Sequence, residues 1–533
     1  GHRTMQKQHF ISTPFLSSLP LMPLPAEMRV WDQQSVALGI PDPVLMENAA
    51  RAALSVLLKE LGSVAGRDTA LFMGPGNNGG DAACLARHLM DYGAKPVVFH
   101  TKALSAAQGS TAVHVKAAQA CGVPFRHVSD FESGKFTVLV DGLLGTGFHG
   151  ALSESMLDLV CAINDEPGAF TLALDIPSGL DAVTGRPCPE AVRADATATF
   201  AAPKPGLVLP EAGPWVGRLT VCEIGTPLCV KKSSPCSFRC LGMEQADALP
   251  GPEKNAHKNT YGHVVVTGGA GGLSGAAQTA ALAALRAGAG LVTAAAPASA
   301  VRDIKGTHAE IMVLGLGNGG EWPSSAESMD DLIRRAGALA VGSGMGTGPD
   351  ALAFLKSLLA MPGRPAAVVD ADALTLIAAH PGVLSLLTER DVITPHPGEA
   401  GRLLGLSPRD VQEDRFAAIR SLTGLSPAAV VLKGAGTLLA QMDSPIIVAP
   451  FDEPALACAG SGDVLAGMTA ALLCRTGSAL EAAAFGVIWH VAAGAETGKD
   501  FPGRGNLAGD IVNAIPLVMK NLMEKRGRNG GSR

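Results

Sequence analysis

The chain carries little charge for its length and no surplus of cations. Charged residues make up 17% of 533 positions and the net charge is −6. That balance leaves no electrostatic footprint for nucleic acid, so none is expected as a partner. No uninterrupted apolar run is long enough to span a bilayer, and no membrane partner is expected either. Pro14, Pro20, Pro23 and Pro25 break the apolar stretch over 10–25, and no small-residue cleavage site stands out. Residues 1–25 therefore read as a flexible N-terminal arm, not a signal peptide. The 10 cysteines lack paired spacing. Cys222, Cys229, Cys236 and Cys240 fall close together, yet without the C-x-x-C knuckles of structural zinc sites. Scattered thiols fit a reducing cytoplasm, which is the expected location.

What the chain does have is small and apolar. Hydrophobic residues make up 47% and glycines number 64, which suits a compact α/β enzyme and argues against disorder. The length calls for more than one domain. Short apolar runs alternate with alanine-rich helical stretches, as in βα units built on parallel sheets. Strands are expected at 70–73, 96–100, 137–140, 170–174, 196–200 and 219–223. The series resumes at 263–267, 291–295, 338–341, 366–369, 392–394 and 429–432. Lys231-Lys232-Ser233-Ser234-Pro235 is polar and turn-prone, so the boundary is placed near 232–242, with domains at 26–235 and 240–528.

Two glycine-rich turns carry the chemistry. Gly460-Ser461-Gly462-Asp463 precedes an apolar helix through Leu473. A helix N-terminus offers free N–H groups to phosphate oxygens. An acid there repels phosphate unless it has another task, such as taking a proton from a hydroxyl. The bland alternative is a tight turn with an N-cap aspartate. In the first half, Gly74-Pro-Gly-Asn77-Asn78-Gly79-Gly80-Asp81 follows a strand and leads into a helix expected over 82–91. It is read as a polar-ligand loop, set apart from the dinucleotide fingerprint G-x-G-x-x-G and from a Walker loop, which needs Gly-Lys-Ser/Thr. Asp141 and Asp175-Ile-Pro-Ser178 follow two later strands, and in a parallel sheet the three loops converge at one edge. The oxygens of Asn78, Asp141 and Ser178 suit a monovalent cation, since one carboxylate with neutral oxygens is too weak a set for a divalent ion.

These motifs resemble a known pair of domains. Asn77–Asp81, Asp175-Ile-Pro-Ser-Gly-Leu-Asp-Ala and Pro203-Lys204-Pro205-Gly206 resemble the NAD(P)H-hydrate epimerase domain. His257-Lys-Asn-Thr-Tyr-Gly-His263, Thr394-Pro-His396-Pro-Gly-Glu399, Lys433-Gly434-Ala435-Gly436-Thr437 and the Gly-Ser-Gly-Asp turn resemble the ADP/ATP-dependent NAD(P)H-hydrate dehydratase. The order resembles the fused bacterial repair enzyme and spans residues 27 to 510. The resemblance implies an N-terminal Rossmann-like three-layer sandwich and a C-terminal ribokinase-like domain. It implies R/S epimerisation of NADHX and NADPHX by the first, and ADP-dependent dehydration of the S form, with release of AMP and phosphate, by the second.

Carried over residue by residue, the resemblance assigns the hydrate in the first domain to Asn77, Asn78, Gly79, Gly80, Asp81, Gly145, Thr146, Gly147, Phe148, His149, Gly150, Ala151 and Asp175. It assigns potassium to Asn78, Asp141 and Ser178, and acid/base work to Asp175, with Lys204 as a second candidate. A solvated lysine between prolines is the alternative for Lys204. In the second domain Ala276, Gly344, Gly346, His396 and Asp463 would meet the hydrate, with Asp463 as base. Lys433, Gly434, Ala435, Gly436, Thr437 and Gly462 would line the nucleotide, which brings magnesium. A homo-oligomer is expected. The rival reading is a small-molecule kinase of the ribokinase type fused to a non-catalytic dinucleotide-binding or scaffold domain.

Overall fold

Short runs of valine, leucine and alanine form the strands of two central sheets, each buried on both faces. In the computed structural model, which describes residues 13–306 and 308–530, one unit covers Pro20–Arg239 and the other runs from Cys240 onward, joined by residues 13–19.

The first unit holds seven strands: β1 Asp68–Met73, β2 Lys95–His100, β3 Phe125–His127, β4 Val138–Gly142, β5 Phe170–Leu174, β6 Ala196–Phe200 and β7 Arg218–Cys222. Their order is β3-β2-β1-β4-β5-β6-β7, parallel throughout. Alternation along β1 sends Leu71 and Met73 into one core and Ala70 and Phe72 into another. The sheet is therefore the middle of three layers. Chain order reverses between β1 and β4, which creates a crevice at the carboxyl ends of those strands.

The second unit is built on a ten-strand sheet that includes the boundary strand β8 Phe238–Cys240. The others are β9 His263–Thr267, β10 Leu291–Pro297, β11 Met312–Leu316, β12 Ala338–Val341, β13 Ala366–Val369, β14 Val392–Ile393, β15 Ala429–Leu432, β16 Thr437–Ala440 and β17 Ile446–Ala449. The order is β11-β10-β9-β12-β13-β14-β15-β16-β17-β8, with the reversal between β9 and β12. The expected wholly parallel sheet is corrected here: β15, β16 and β17 pair antiparallel. Gly434 and Gly436, at φ 137° and 65°, allow the tight return that makes this hairpin.

Two further expectations change. The helix after β1 begins at Asn77, not at residue 82. Close packing decides this: a Cβ on Gly79 would lie 2.1 Å from the Gly74 carbonyl oxygen, so a glycine-rich segment is what permits the helix to start there. The flexible arm fails for residues 13–25, while residues 1–12 lie outside those described. Thr13 caps the helix Pro14–Ser18 and donates to Glu481 Oε1 at 2.7 Å. Phe15 packs on Phe485 at 4.3 Å, and Pro25 opens the helix Pro25–Ala37. Of the prolines read as breakers, Pro14 and Pro25 occupy first helical positions, where the missing N–H costs nothing, and Pro20 and Pro23 lie between the two helices.

Candidate functional site

The crevice of the first sheet is a cleft of about 420 Å³. Asn77, Asn78 and Asp81 reach it from the helix Asn77–Asp91, Gly145 to Phe148 from the turn after β4, and Asp175 from the end of β5. Met28, Arg29 and Asp32 line it from the helix Pro25–Ala37, and Asp42 from Asp42–Leu61.

Asp175 has a φ of 63°, a left-handed conformation that costs a non-glycine residue about 1–3 kcal/mol. Its N–H is held by Ala198 O at 2.7 Å. Its Oδ1 accepts from Lys204 Nζ at 2.7 Å. Lys204 is wholly buried and also donates to Thr199 Oγ1 and Phe200 O, both at 2.8 Å. The solvated-lysine alternative is thus overturned. All three ammonium hydrogens are committed, so Lys204 holds Asp175 in place and is not a free acid.

Behind this pair lies a polar knot. Asp141 is fully buried and accepts from Ser178 Oγ at 2.6 Å and Ser178 N at 2.7 Å. Burial pushes its carboxyl up to about 6, against those hydrogen bonds. Asn78 Nδ2 donates to Leu144 O at 2.9 Å, while Asn78 Oδ1 is buried without a partner. A buried carbonyl oxygen left unpaired beside a buried carboxylate fits a cation.

In the second unit, Asp463 is the third residue of the helix Ser461–Leu473, with Gly460 as N-cap. The N-cap reading of Asp463 therefore fails. Burial pushes its carboxyl up to about 6; Asp370 adds to the shift, and Ser343 and Lys433 oppose it. Lys433 Nζ donates to Asp370 Oδ1 at 2.8 Å and stands 4.0 Å from Glu399 Oε2. Burial opposes the Lys433 charge, but Asp370 and Glu399 outweigh it and raise its pKa. Burial also pushes Glu399 up to about 7. A Cβ on Gly462 would meet Lys433 Nζ at 3.3 Å and Asp370 Oδ2 at 3.5 Å, so these groups crowd the helix N-terminus. A Cβ on Gly344 would lie 3.1 Å from the Ala276 Cβ, which places the two side by side. Gly346 N donates to Asp372 Oδ2 at 2.8 Å. Gly434, Ala435 and Gly436 form the hairpin turn after Lys433, and Thr437 opens β16. His396 Nδ1 accepts from Gly398 N at 2.9 Å and Glu399 N at 3.3 Å. A neutral His396 therefore carries its proton on Nε2, 3.3 Å from Glu399 Oε1. Burial, then Lys433, lowers its pKa.

Comparison with known proteins bears on both sites. Residues 264–517 match the family described as NAD(P)H-hydrate dehydratase, and residues 43–206 match the YjeF-related protein N-terminus family. The bifunctional NAD(P)H-hydrate repair enzyme Nnr of Moorella thermoacetica is 37% identical over 91% of this chain and 94% of its own. That of Coxiella burnetii is 34% identical over 92% and 98%. The chain belongs to the bifunctional NAD(P)H-hydrate repair enzymes. Among solved structures, the ADP/ATP-dependent NAD(P)H-hydrate dehydratase of Bacillus subtilis, co-crystallised with ATP and magnesium, is 25% identical. It covers 52% of this chain and 97% of its own, with a TM-score of 0.44.

In this family member some expected residues stand apart from the clefts. His149, Gly150 and Ala151 are exposed and do not line the first cleft. Gly79 and Gly80 pack against Gly74 and Met46 instead of facing it. The four-cysteine cluster does not assemble: among the described residues the one close grouping of three His, Cys, Asp or Glu side chains is Glu47, Cys84 and His114. There Arg87 already binds Glu47 at 2.6 Å. Gly74, Gly76 and Gly79 do stand at G-x-G-x-x-G spacing between β1 and its helix, a fingerprint the sequence reading set aside. Asp32, Asp42, Asp370 and Asp372 were missed. Asp370 follows β13 directly, as Asp175 follows β5, while Asp141 lies within the last residues of β4, and that strand-end position was the available signal. No helix among the described residues is long and apolar enough to cross a membrane.

Proposed function

We propose that the first unit interconverts the R and S hydrates of NADH and NADPH, and that the second dehydrates the S form at the expense of ADP. The observation that carries this reading is the pair Asp175 and Asp463. Each lies at the carboxyl edge of its own sheet, in a chain matched over nine-tenths of its length by bifunctional repair enzymes.

In the second unit Asp463 takes the proton of the C6 hydroxyl, and the freed oxygen attacks the terminal phosphoryl group of ADP, releasing AMP. A carboxyl near 6 is mostly ionised at neutral pH yet basic enough to accept that proton. The C6–O bond then breaks with its electron pair going to phosphate, pushed by the ring nitrogen, and loss of the C5 proton restores the double bond. Lys433 and the free amides of the helix Ser461–Leu473 hold the phosphates, and His396 Nε2–H offers the hydrate a donor. Asp370 and Glu399 would hold magnesium with the phosphates, since few carboxylates beside phosphate suit that ion; bound, it neutralises phosphate charge.

In the first unit Asp175 exchanges protons with the hydrate, and Lys204 keeps it aimed. Asn78, Asp141 and Ser178 would hold potassium, and the unpaired Asn78 Oδ1 supports that fit; bound, it supplies fixed positive charge beside the reacting ring.

The test is incubation of the whole chain with mixed R and S NADH hydrate, ADP, magnesium and potassium, following absorbance of the reduced nicotinamide. Complete recovery with one AMP per NADH is expected. Recovery that stalls at the S fraction would remove epimerisation from the reading. A stable phosphorylated hydrate would make the second unit a kinase.

A further inference from the structure

Four carboxylates enter the first cleft, those of Asp32, Asp42, Asp81 and Asp175. Lys204 is committed to Asp175, and Asp42 takes a hydrogen bond from Ser110 Oγ at 2.8 Å. Asp32 and Asp81 accept no hydrogen bond from any described residue. Asp32 lies on the face of its helix that buries Met28, Trp31 and Ser35, the positions three, four and seven apart that share a side. A carboxyl set on the inner face of a helix, open to a cleft and without a donor of its own, is placed to serve a ligand.

We propose that Asp32 is a second catalytic residue of this cleft, the acid that exchanges a proton with the ring nitrogen while Asp175 exchanges one with the C6 hydroxyl. The inference rests on the epimerase reading. C6 of the hydrate carries the hydroxyl and is bonded to the ring nitrogen. As Asp175 takes the hydroxyl proton, a C6 carbonyl forms and the C6–N bond breaks. Its electron pair goes to nitrogen, which takes the Asp32 proton. Rotation about C5–C6 presents the other carbonyl face. Nitrogen attacks it, Asp32 recovers its proton and Asp175 returns one to oxygen. Nothing is oxidised, reduced or consumed.

The surroundings raise the share of Asp32 that carries a proton. Burial, then the charges of Asp42 and Asp175, push its carboxyl up to about 6, with Lys204 opposing. Asp81, from the helix Asn77–Asp91, is itself held well above the usual carboxylate range by burial and by the same acids. Arg29 lines the cleft from the helix of Asp32. The proton is present below the Asp32 pKa, so the rate should fall as pH rises through about 6.

The experiment follows epimerisation of purified R hydrate by the full-length chain without ADP, against pH, after subtraction of the uncatalysed rate. Asp32→Asn is expected to lower kcat at least about 100-fold, the lower range for acid–base groups, and to abolish the limb near pH 6 in what remains. Asp32→Glu should keep measurable activity with that limb displaced. An Asp32→Asn rate within threefold of wild type overturns the proposal, as does a limb unmoved in Asp32→Glu. Should Asp32→Asn fail to fold, the glutamate variant decides. Absence of epimerisation by the wild-type chain would sink the epimerase reading itself, and the Asp32 role with it.

Discussion

Lys204 places its ammonium 2.7 Å from Asp175 Oδ1 while wholly shielded from water. The pair couples stability to chemistry, because the lysine that orients the acid is itself buried and has Asp175 as its ion-pair partner. Removing one member of a buried pair leaves an uncompensated charge, a loss of about 3–5 kcal/mol. Lys204→Met should therefore lower the stability of the first unit by that order in urea unfolding followed by circular dichroism. It should also suppress epimerisation while S-hydrate dehydration continues. A stability change below about 1 kcal/mol would show that the buried pair contributes far less than such pairs usually do.

Asp463 faces the opposite trade. Its folded pKa, about 6, lies above the unfolded value of 3.8. The folded state therefore binds the proton more tightly, and stability falls as pH rises from about 4 to 6. The full shift corresponds to about 3 kcal/mol. Asp463→Asn should recover part of this at pH 7 and raise the unfolding midpoint of the second unit. The same change should cut dehydration about 10²–10⁴-fold, the range for a general base. In the wild-type chain dehydration should rise with pH through about 6. An unchanged pH profile in Asp463→Asn would remove it as the titrating base.

Much of the layout is legible in the sequence because buried parallel strands are short apolar runs with sharp ends. β5, β6, β9, β12, β13 and β15 begin and end where those runs do. β3 and β8 have only three residues each, too few for a pattern, and β11 contains Gly315 and is partly exposed. β16 and β17 were hidden because Lys433–Thr437 reads as a ligand loop and is also a hairpin turn. At the sites, motif residues such as Asn78, Asp175 and Asp463 announce themselves by glycine neighbours. Asp32 does not, and only its place on an apolar helical stripe marks it. Which acids share a cleft depends on how the helices Pro25–Ala37 and Asp42–Leu61 cover the sheet, and local spacing carries no trace of that.

Gly79 illustrates a residue whose motif position is structural. A Cβ there would sit 2.1 Å from the Gly74 carbonyl oxygen, so the turn would have to open. Gly79→Ala should cost the first unit about 1–3 kcal/mol as an overpacking change and displace Asn77 and Asn78 from the cleft. Thermal unfolding and epimerisation should fall together. Normal stability with normal epimerisation would mean that the backbone yields more easily than its packing indicates.

The cation reading has a test that needs no substrate. Asn78 Oδ1 is buried and unpaired, a state that typically costs about 1–3 kcal/mol, and a bound cation would relieve it. Binding to the folded state alone stabilises by mass action, about 2.7 kcal/mol when the ion is present at 100 times its dissociation constant. Potassium chloride should therefore raise the unfolding midpoint of the first unit over tetramethylammonium chloride at equal ionic strength, where screening is matched. Ser178→Ala removes the hydroxyl that bridges Asp141 and the Leu144 backbone and should abolish the difference between the two salts. Equal midpoints in both salts for the wild-type chain would leave Asn78, Asp141 and Ser178 as a structural hydrogen-bond cluster with no ion to hold.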